Sequence, residues 1–208
     1  MSLAIPYRAQ WESAGLVGDF LAGVDAAGDP LWALSGAETA AEYARWAEHL
    51  CGVACLRMVL AARGVELSAF QTMRELRARG GYVEGADGTI RGLIYAPAVE
   101  WLAVEHGVAA RIILDLDAAD VPALLEEGLF IASVHPAIRD AAAPAPGRGG
   151  HLVLVHGAAD GALVLHNPSG DRPANQADAR VALPDFARFF AGRGILVAHA
   201  GQAAGSGS

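Results

Sequence analysis

Apolar positions in the first half of the chain recur with helical spacing, while those in the second half fall into short, uninterrupted runs. Gly52 to Arg63 carries Ala54, Cys55, Met58, Val59, Ala61 and Ala62. That segment is apolar around most of a helix's circumference, so it is expected to be a central, buried helix. Gly64 is placed to end it with a left-handed cap. Ser35 with Glu38, and Ser68 with Gln71, have the spacing of capping boxes. They predict helices running from Ser35 towards Leu50 and from Ser68 to Gly80, whereas residues 15–34 read as irregular. Pro97 suits the first turn of another helix that stops at His106 and Gly107.

Ala109 to Leu114 and Leu129 to Val134 read as strands, separated by a short helix capped by Asp117 or Asp120. The stretch from Arg139 to Gly150 is rich in Ala, Pro and Gly and reads as a loop. His151 to His156 and Ala162 to His166 are apolar β-runs flanking Gly157 to Gly161, and the Asp-Gly in that connection makes this the clearest hairpin. Pro184 opens a last helix expected to run to about Gly192, and Ile195 to His199 is a closing strand. A helical first half packed on an antiparallel sheet from the second half predicts an α+β class rather than alternating βαβ units. Residues 1–200 read as one domain, and the Gly/Ala/Ser-rich residues 201–208 as a flexible tail.

Composition narrows the function. All 15 basic residues are arginine, which removes any mechanism requiring a lysine amine. The formal net charge is −8 and the arginines are scattered, so no basic face is offered to nucleic acid. No apolar run is long enough to cross a bilayer, and the first residues lack the pattern of a secretory signal. The expectation is a soluble, cytoplasmic protein with no membrane partner. Gly147-Arg148-Gly149-Gly150 lacks the lysine and hydroxyl residue of a phosphate-binding loop.

Two cysteines, Cys51 and Cys55, lie four residues apart, a poor spacing for a disulfide on a helix and no part of a four-ligand zinc pattern. Cys51 falls at the junction of two helical patterns. A thiol at a helix N-terminus faces unpaired backbone N–H groups and the positive end of the dipole, which favour its thiolate. Gly52 leaves room for a substrate, and the Cys51 amide can face an oxyanion. Cys55, one turn further, belongs to the core. His151 follows two glycines and starts a strand, a rigid support with an open face for a general base. His156 is expected on the opposite face. Asn167, at the exit of the second hairpin strand, is a candidate to accept the Nδ1 proton of His151. Gln10 is a candidate second oxyanion donor.

These residues form an ordered set: Ile5-Pro6-Tyr7 followed by Gln10, then Cys51-Gly52-Val53-Ala54-Cys55-Leu56, then Gly149-Gly150-His151-Leu152-Val153-Leu154-Val155, then Asn167-Pro168. The set resembles the C39-like family of papain-fold cysteine peptidases. His151 follows Cys51 by 100 residues and Asn167 follows His151 by 16. The resemblance implies a Gln, Cys, His and Asp/Asn quartet at Gln10, Cys51, His151 and Asn167. Two positions depart from the family pattern: Val53 stands where proline is common, and Asn167 where aspartate is frequent. A neutral amide orients an imidazole but stabilises the imidazolium less than a carboxylate does.

The expected function is hydrolysis of peptide bonds through a Cys51 thioester, with no cofactor and no metal, on a peptide or small amide substrate. The alternatives are an acyltransferase or small-amide hydrolase using the same triad, or a non-catalytic peptide-binding relative.

Overall fold

The computed structural model describes residues 5–199; the expected tail at 201–208 lies outside them. Its helices are α1 (Val17–Leu21), α2 (Ala40–Ala47), α3 (Cys51–Ala61), α4 (Ala69–Ala78), α5 (Tyr95–His106), α6 (Val121–Leu124) and α7 (Leu183–Phe189). The strands are β1 (Val83–Glu84), β2 (Ile90–Arg91), β3 (Ala110–Ile113), β4 (Gly128–Val134), β5 (His151–Ala159), β6 (Ala162–His166), β7 (Ala179–Ala182) and β8 (Phe190–Ala198). β1 and β2 form a small ladder of their own, and the other six strands form one antiparallel sheet in the order β3-β8-β4-β5-β6-β7. This is the expected α+β layout.

The unbroken apolar run of β5 has a simple cause: both faces of the sheet are covered. Leu152 and Leu154 join Val53, Leu56, Val59, Ile131 and Ile195 in a core on the α3 side. Val153 and Val155 point the other way, into a second core with Phe130, Leu165, Phe186 and Phe189. A strand buried on both faces gains from apolar residues at every position, so alternation disappears from the sequence.

Several boundaries differ from the sequence expectation. The cap of α2 is Thr39, whose side chain accepts from the Glu42 amide, and not Ser35. Ser35 sits in a 3₁₀ turn and bonds the Ala37 amide. Ser68 does cap α4, accepting from Gln71 N, while the Gln71 side chain turns to Glu75 rather than completing a box. The connection between β5 and β6 is two residues, Asp160 and Gly161, not five. Both have positive φ, +52° and +72°, the pair needed for a tight turn matching strand twist. The segment before α2 is not wholly irregular. It holds α1 and three 3₁₀ turns, tied down by the buried Asp29 carboxylate, which accepts from Ser13 Oγ, Ser13 N, Leu31 N and Tyr43 Oη. Burial pushes the Asp29 carboxyl up, but the hydrogen bonds from Ser13 and Tyr43 and the two backbone amides outweigh it, so its pKa falls below the ordinary value.

Candidate active site

Cys51 opens α3 as its first residue, directly after Leu50. The leading amides of a helix have no carbonyl upstream to bond, which leaves them for a nearby negative charge. Gly52 is required here for space: a Cβ would lie 2.6 Å from Leu93 Cβ and 3.1 Å from Leu152 Cδ1. Its absence lets the head of α3 press against Leu93 and Leu152, and the sulfur comes to the floor of a cleft of about 570 Å³. Leu93, Tyr95, Ser133, His151, Leu152 and Arg193 are among the other walls of that cleft. Cys55 is fully buried in the core, as expected.

His151 begins β5 and is buried beside Asn167 and Ser169. The register that pairs Leu154 with His166 brings the exit of β6 back next to the start of β5. His151 Nε2 lies 2.8 Å from Asn167 Oδ1. The Ser169 amide donates to the same oxygen at 3.1 Å, which identifies it as the carbonyl end of the amide. Nε2 therefore carries the ring proton, and Nδ1 keeps the lone pair a base requires. The sequence reading had assigned the Asn167 bond to Nδ1; the structure puts it on Nε2. The backbone of Asn167 is fixed as well, its amide donating to Gln176 O at 2.9 Å and its carbonyl accepting from Tyr7 Oη at 2.9 Å.

Gln10 is buried, and its side-chain nitrogen donates to Ala47 O at 3.2 Å and Glu48 O at 3.1 Å. It thus caps the end of α2 immediately before the turn into Cys51. Both amide hydrogens are committed there, and Gln10 is not among the residues lining the cleft. To donate to an oxyanion, one of those two bonds must be released.

Burial raises the Cys51 thiol above its ordinary value, opposed but not cancelled by the backbone amides of Leu152, Gly52 and Cys51 itself. Burial also pushes His151 down to about 4, against the Asn167 hydrogen bond, and the Arg139 charge lowers it further. Arg139 reaches this point by donating to Ser169 O at 2.7 Å and Ser169 Oγ at 3.3 Å. Desolvation thus favours the neutral form of each group, against the pull of the helix N-terminus towards a thiolate.

Sequence reasoning passed over Ser169, Tyr7, Tyr95, Ser133 and Arg193. Ser169 Oγ is 3.1 Å from His151 Nε2, a second contact that steadies the ring. The Pro-Ser-Gly that follows Asn167 had the signature of an ordinary turn, and Arg193 carried no signal beyond its two glycine neighbours.

A separate group on the far side of the hairpin, His156, His166 and Asp178, brings two imidazole nitrogens and a carboxylate oxygen within 4.8 Å of one another. That donor set suits a divalent transition metal. However, His166 Nε2 donates to Ile5 O at 2.9 Å and its Nδ1 accepts from the Asp178 amide at 3.0 Å. Both ring nitrogens of His166 are thus already used, which leaves His156 and Asp178 as the only free donors of the three.

No family model matches the chain, and no curated protein matches it. Among solved structures, it is similar to the peptidase domain of Streptococcus ComA, a bi-functional ABC transporter involved in a quorum-sensing pathway. That likeness has 21% identity over 73% of this chain and 92% of that one, with a TM-score of 0.49. It is also similar to a double glycine motif protease from an AMS/PCAT transporter, solved in complex with the leader peptide. Here identity is 16%, coverage 71% and 83%, and the TM-score 0.48. No helix among the described residues is long and apolar enough to cross a membrane.

Proposed function

We infer that the protein is a cysteine peptidase, with Cys51 as nucleophile, His151 as general base and acid, and Asn167 as the residue that orients the imidazole. The observation that carries this reading is the 2.8 Å contact of His151 Nε2 with Asn167 Oδ1, in a histidine that shares its cleft with a cysteine at a helix head. A nucleophile, a base and a third group holding the base are the recurring parts of thiol catalysis.

In the first step Cys51 Sγ attacks a peptide carbonyl while its proton passes to His151 Nδ1. The developing oxyanion is met by the Cys51 amide, joined by Gln10 once its side chain releases Ala47 or Glu48. His151 then protonates the leaving amine, and the C–N bond breaks to leave a thioester. In the second step His151 takes a proton from water, the hydroxide displaces the Cys51 sulfur as the C–S bond breaks, and His151 returns the proton to that sulfur. Each step uses the same Nδ1, which the Asn167 bond to Nε2 leaves free.

Incubation with a mixed peptide library, read by mass spectrometry, tests this. Wild type is expected to generate new termini and Cys51→Ala none. Cleavage that persists in Cys51→Ala would overturn the assignment. The acyltransferase alternative keeps the thioester but replaces water by an amine. Turnover without any added amine separates the two, since a peptidase then yields the free acid whereas an acyltransferase, lacking its acceptor, stalls as the thioester. The non-catalytic alternative predicts peptide retention by both proteins and cleavage by neither.

A further inference from the structure

β8 does not run straight past β4. Ala132 pairs with Gly194 and Val134 with Phe190, so Ser133 alone on β4 faces three residues, Ala191, Gly192 and Arg193, on β8. A bulge of this kind turns a side chain out of the ladder's regular alternation. Glycines on either side make it feasible. Gly192 has φ +68°, and a Cβ on Gly194 would stand 2.2 Å from Ile131 O. The result is that Arg193, otherwise a strand residue, lines the cleft that holds Cys51 and His151. Its guanidinium lies beside Ser133 and Gly149, and Tyr95 lines the same cleft.

The charge distribution around this side chain is unusual for the molecule. Ten of the 15 arginines are ion-paired with carboxylates. Arg63 and Arg139 donate to backbone carbonyls. Among the described residues, the remaining three, Arg91, Arg148 and Arg193, have no such partner. Of the three, Arg193 lines the cleft, while Arg91 and Arg148 are exposed residues close in sequence to Gly92 and Gly150, which line it. Among the described residues, no aspartate or glutamate lines the cleft. In a chain of net charge −8 this is a local reversal of sign, placed at the candidate nucleophile. The opposite wall is apolar, with Leu93, Ile112, Leu114 and Leu152.

We propose that the cleft binds a carboxylate of the substrate, anchored by Arg193 with the Tyr95 and Ser133 hydroxyls beside it, while the apolar wall takes a neighbouring hydrophobic side chain. The proposal rests on reading this cleft as the substrate site. A guanidinium offers two parallel N–H groups to the two oxygens of a carboxylate, a match a lone ammonium does not provide. Burial raises the Tyr95 phenol, which keeps its proton available for donation. The carboxylate belongs either to an acidic side chain or to a free C-terminus.

Cys51 is a built-in reporter of what enters the cleft. The experiment compares its alkylation by iodoacetate, an anion, with that by neutral iodoacetamide, in wild type and Arg193→Gln, at low salt and about pH 9, where an ordinary thiol begins to ionise. Both reagents meet the same thiolate, so their rate ratio is independent of how that thiolate arises, and failure here and failure of the peptidase reading remain distinct. The iodoacetate-to-iodoacetamide rate ratio is expected to fall about tenfold in Arg193→Gln, the scale of one charge-assisted hydrogen bond. Raising the salt should erode the wild-type ratio.

The source of the carboxylate is read from protection of Cys51 against iodoacetamide by four peptides, acetyl-Leu-Xaa-Leu with Glu or Gln in the middle and the C-terminus free or amidated. Protection by the amidated Glu peptide assigns an acidic side chain, and protection by the free-acid Gln peptide assigns a C-terminus. An alkylation ratio indifferent to Arg193→Gln, or equal protection by all four peptides, overturns the proposal.

Discussion

Alanine in place of His151 is expected to lower kcat/KM for any peptide the protein hydrolyses by about a thousandfold or more, chiefly through kcat. Without the imidazole, nothing in the cleft receives the Cys51 proton, and burial holds that thiol protonated. The leaving amine also loses its proton donor. Substrate contacts with the apolar wall and with Arg193 are untouched, so KM should change little. The fold should survive, because the partner left behind is not stranded: Asn167 Oδ1 still accepts from the Ser169 amide at 3.1 Å. Circular dichroism and thermal melting of the variant check that condition, and steady-state kinetics check the loss. Asn167→Ala should cost less, since Ser169 Oγ stays 3.1 Å from Nε2 and partly holds the ring.

A second large effect is loss of stability in acid between about pH 6.5, where an unfolded histidine titrates, and about pH 4. Burial is the main reason that His151 and His156 are each pushed down to about 4, with the His166 charge adding to the effect at His156. A histidine whose folded pKa lies below its unfolded one binds fewer protons in the native state. Its stabilising contribution is therefore complete above the unfolded value and disappears as pH falls towards the folded one. For His151 the two values correspond to on the order of 3 kcal/mol, and His156 acts in the same direction. Urea unfolding at neutral pH and near pH 4.5 should show a clear drop in midpoint, reduced in His151→Asn. An equal midpoint at both values would mean that neither histidine is held neutral by the fold.

What was legible in the sequence, and what was not, divides along physical lines. The head of α3 could be placed because a nearly all-apolar helix, a preceding junction and Gly64 converge on one boundary. The β5–β6 hairpin was equally clear, although its turn is shorter than the apolar runs suggested because β5 continues through Gly157 to Ala159 with a bulge after Val155. The cap of α2 was misplaced because Ser35 and Thr39 both precede acidic residues at the right spacing, and only tertiary packing selects between them. The contact between His151 and Asn167 was accessible through hairpin register, whereas the ring nitrogen involved depends on side-chain rotation that no spacing encodes. The electrostatic state of the pair was not legible at all. The helix dipole argues for a thiolate, but desolvation is larger, and burial of that extent arises only when α3, Leu93 and β5 come together. Arg193 stayed hidden for a related reason: its orientation is created by a bulge, and a bulge is a property of two strands at once.

The measurement that bears most directly on the Cys51–His151 pair is the rate of Cys51 alkylation by iodoacetamide as a function of pH, in wild type and His151→Ala. A neutral thiol beside a neutral imidazole exchanges a proton internally, so the reactive fraction is independent of pH between the two macroscopic titrations. Wild type is therefore expected to show a nearly flat rate from just above about pH 4 to neutrality, and His151→Ala a rate that climbs about tenfold per pH unit, with the two converging only in alkali. If wild type instead climbs with pH just as the variant does, Cys51 is an ordinary buried thiol, and the catalytic reading of this cleft is contradicted.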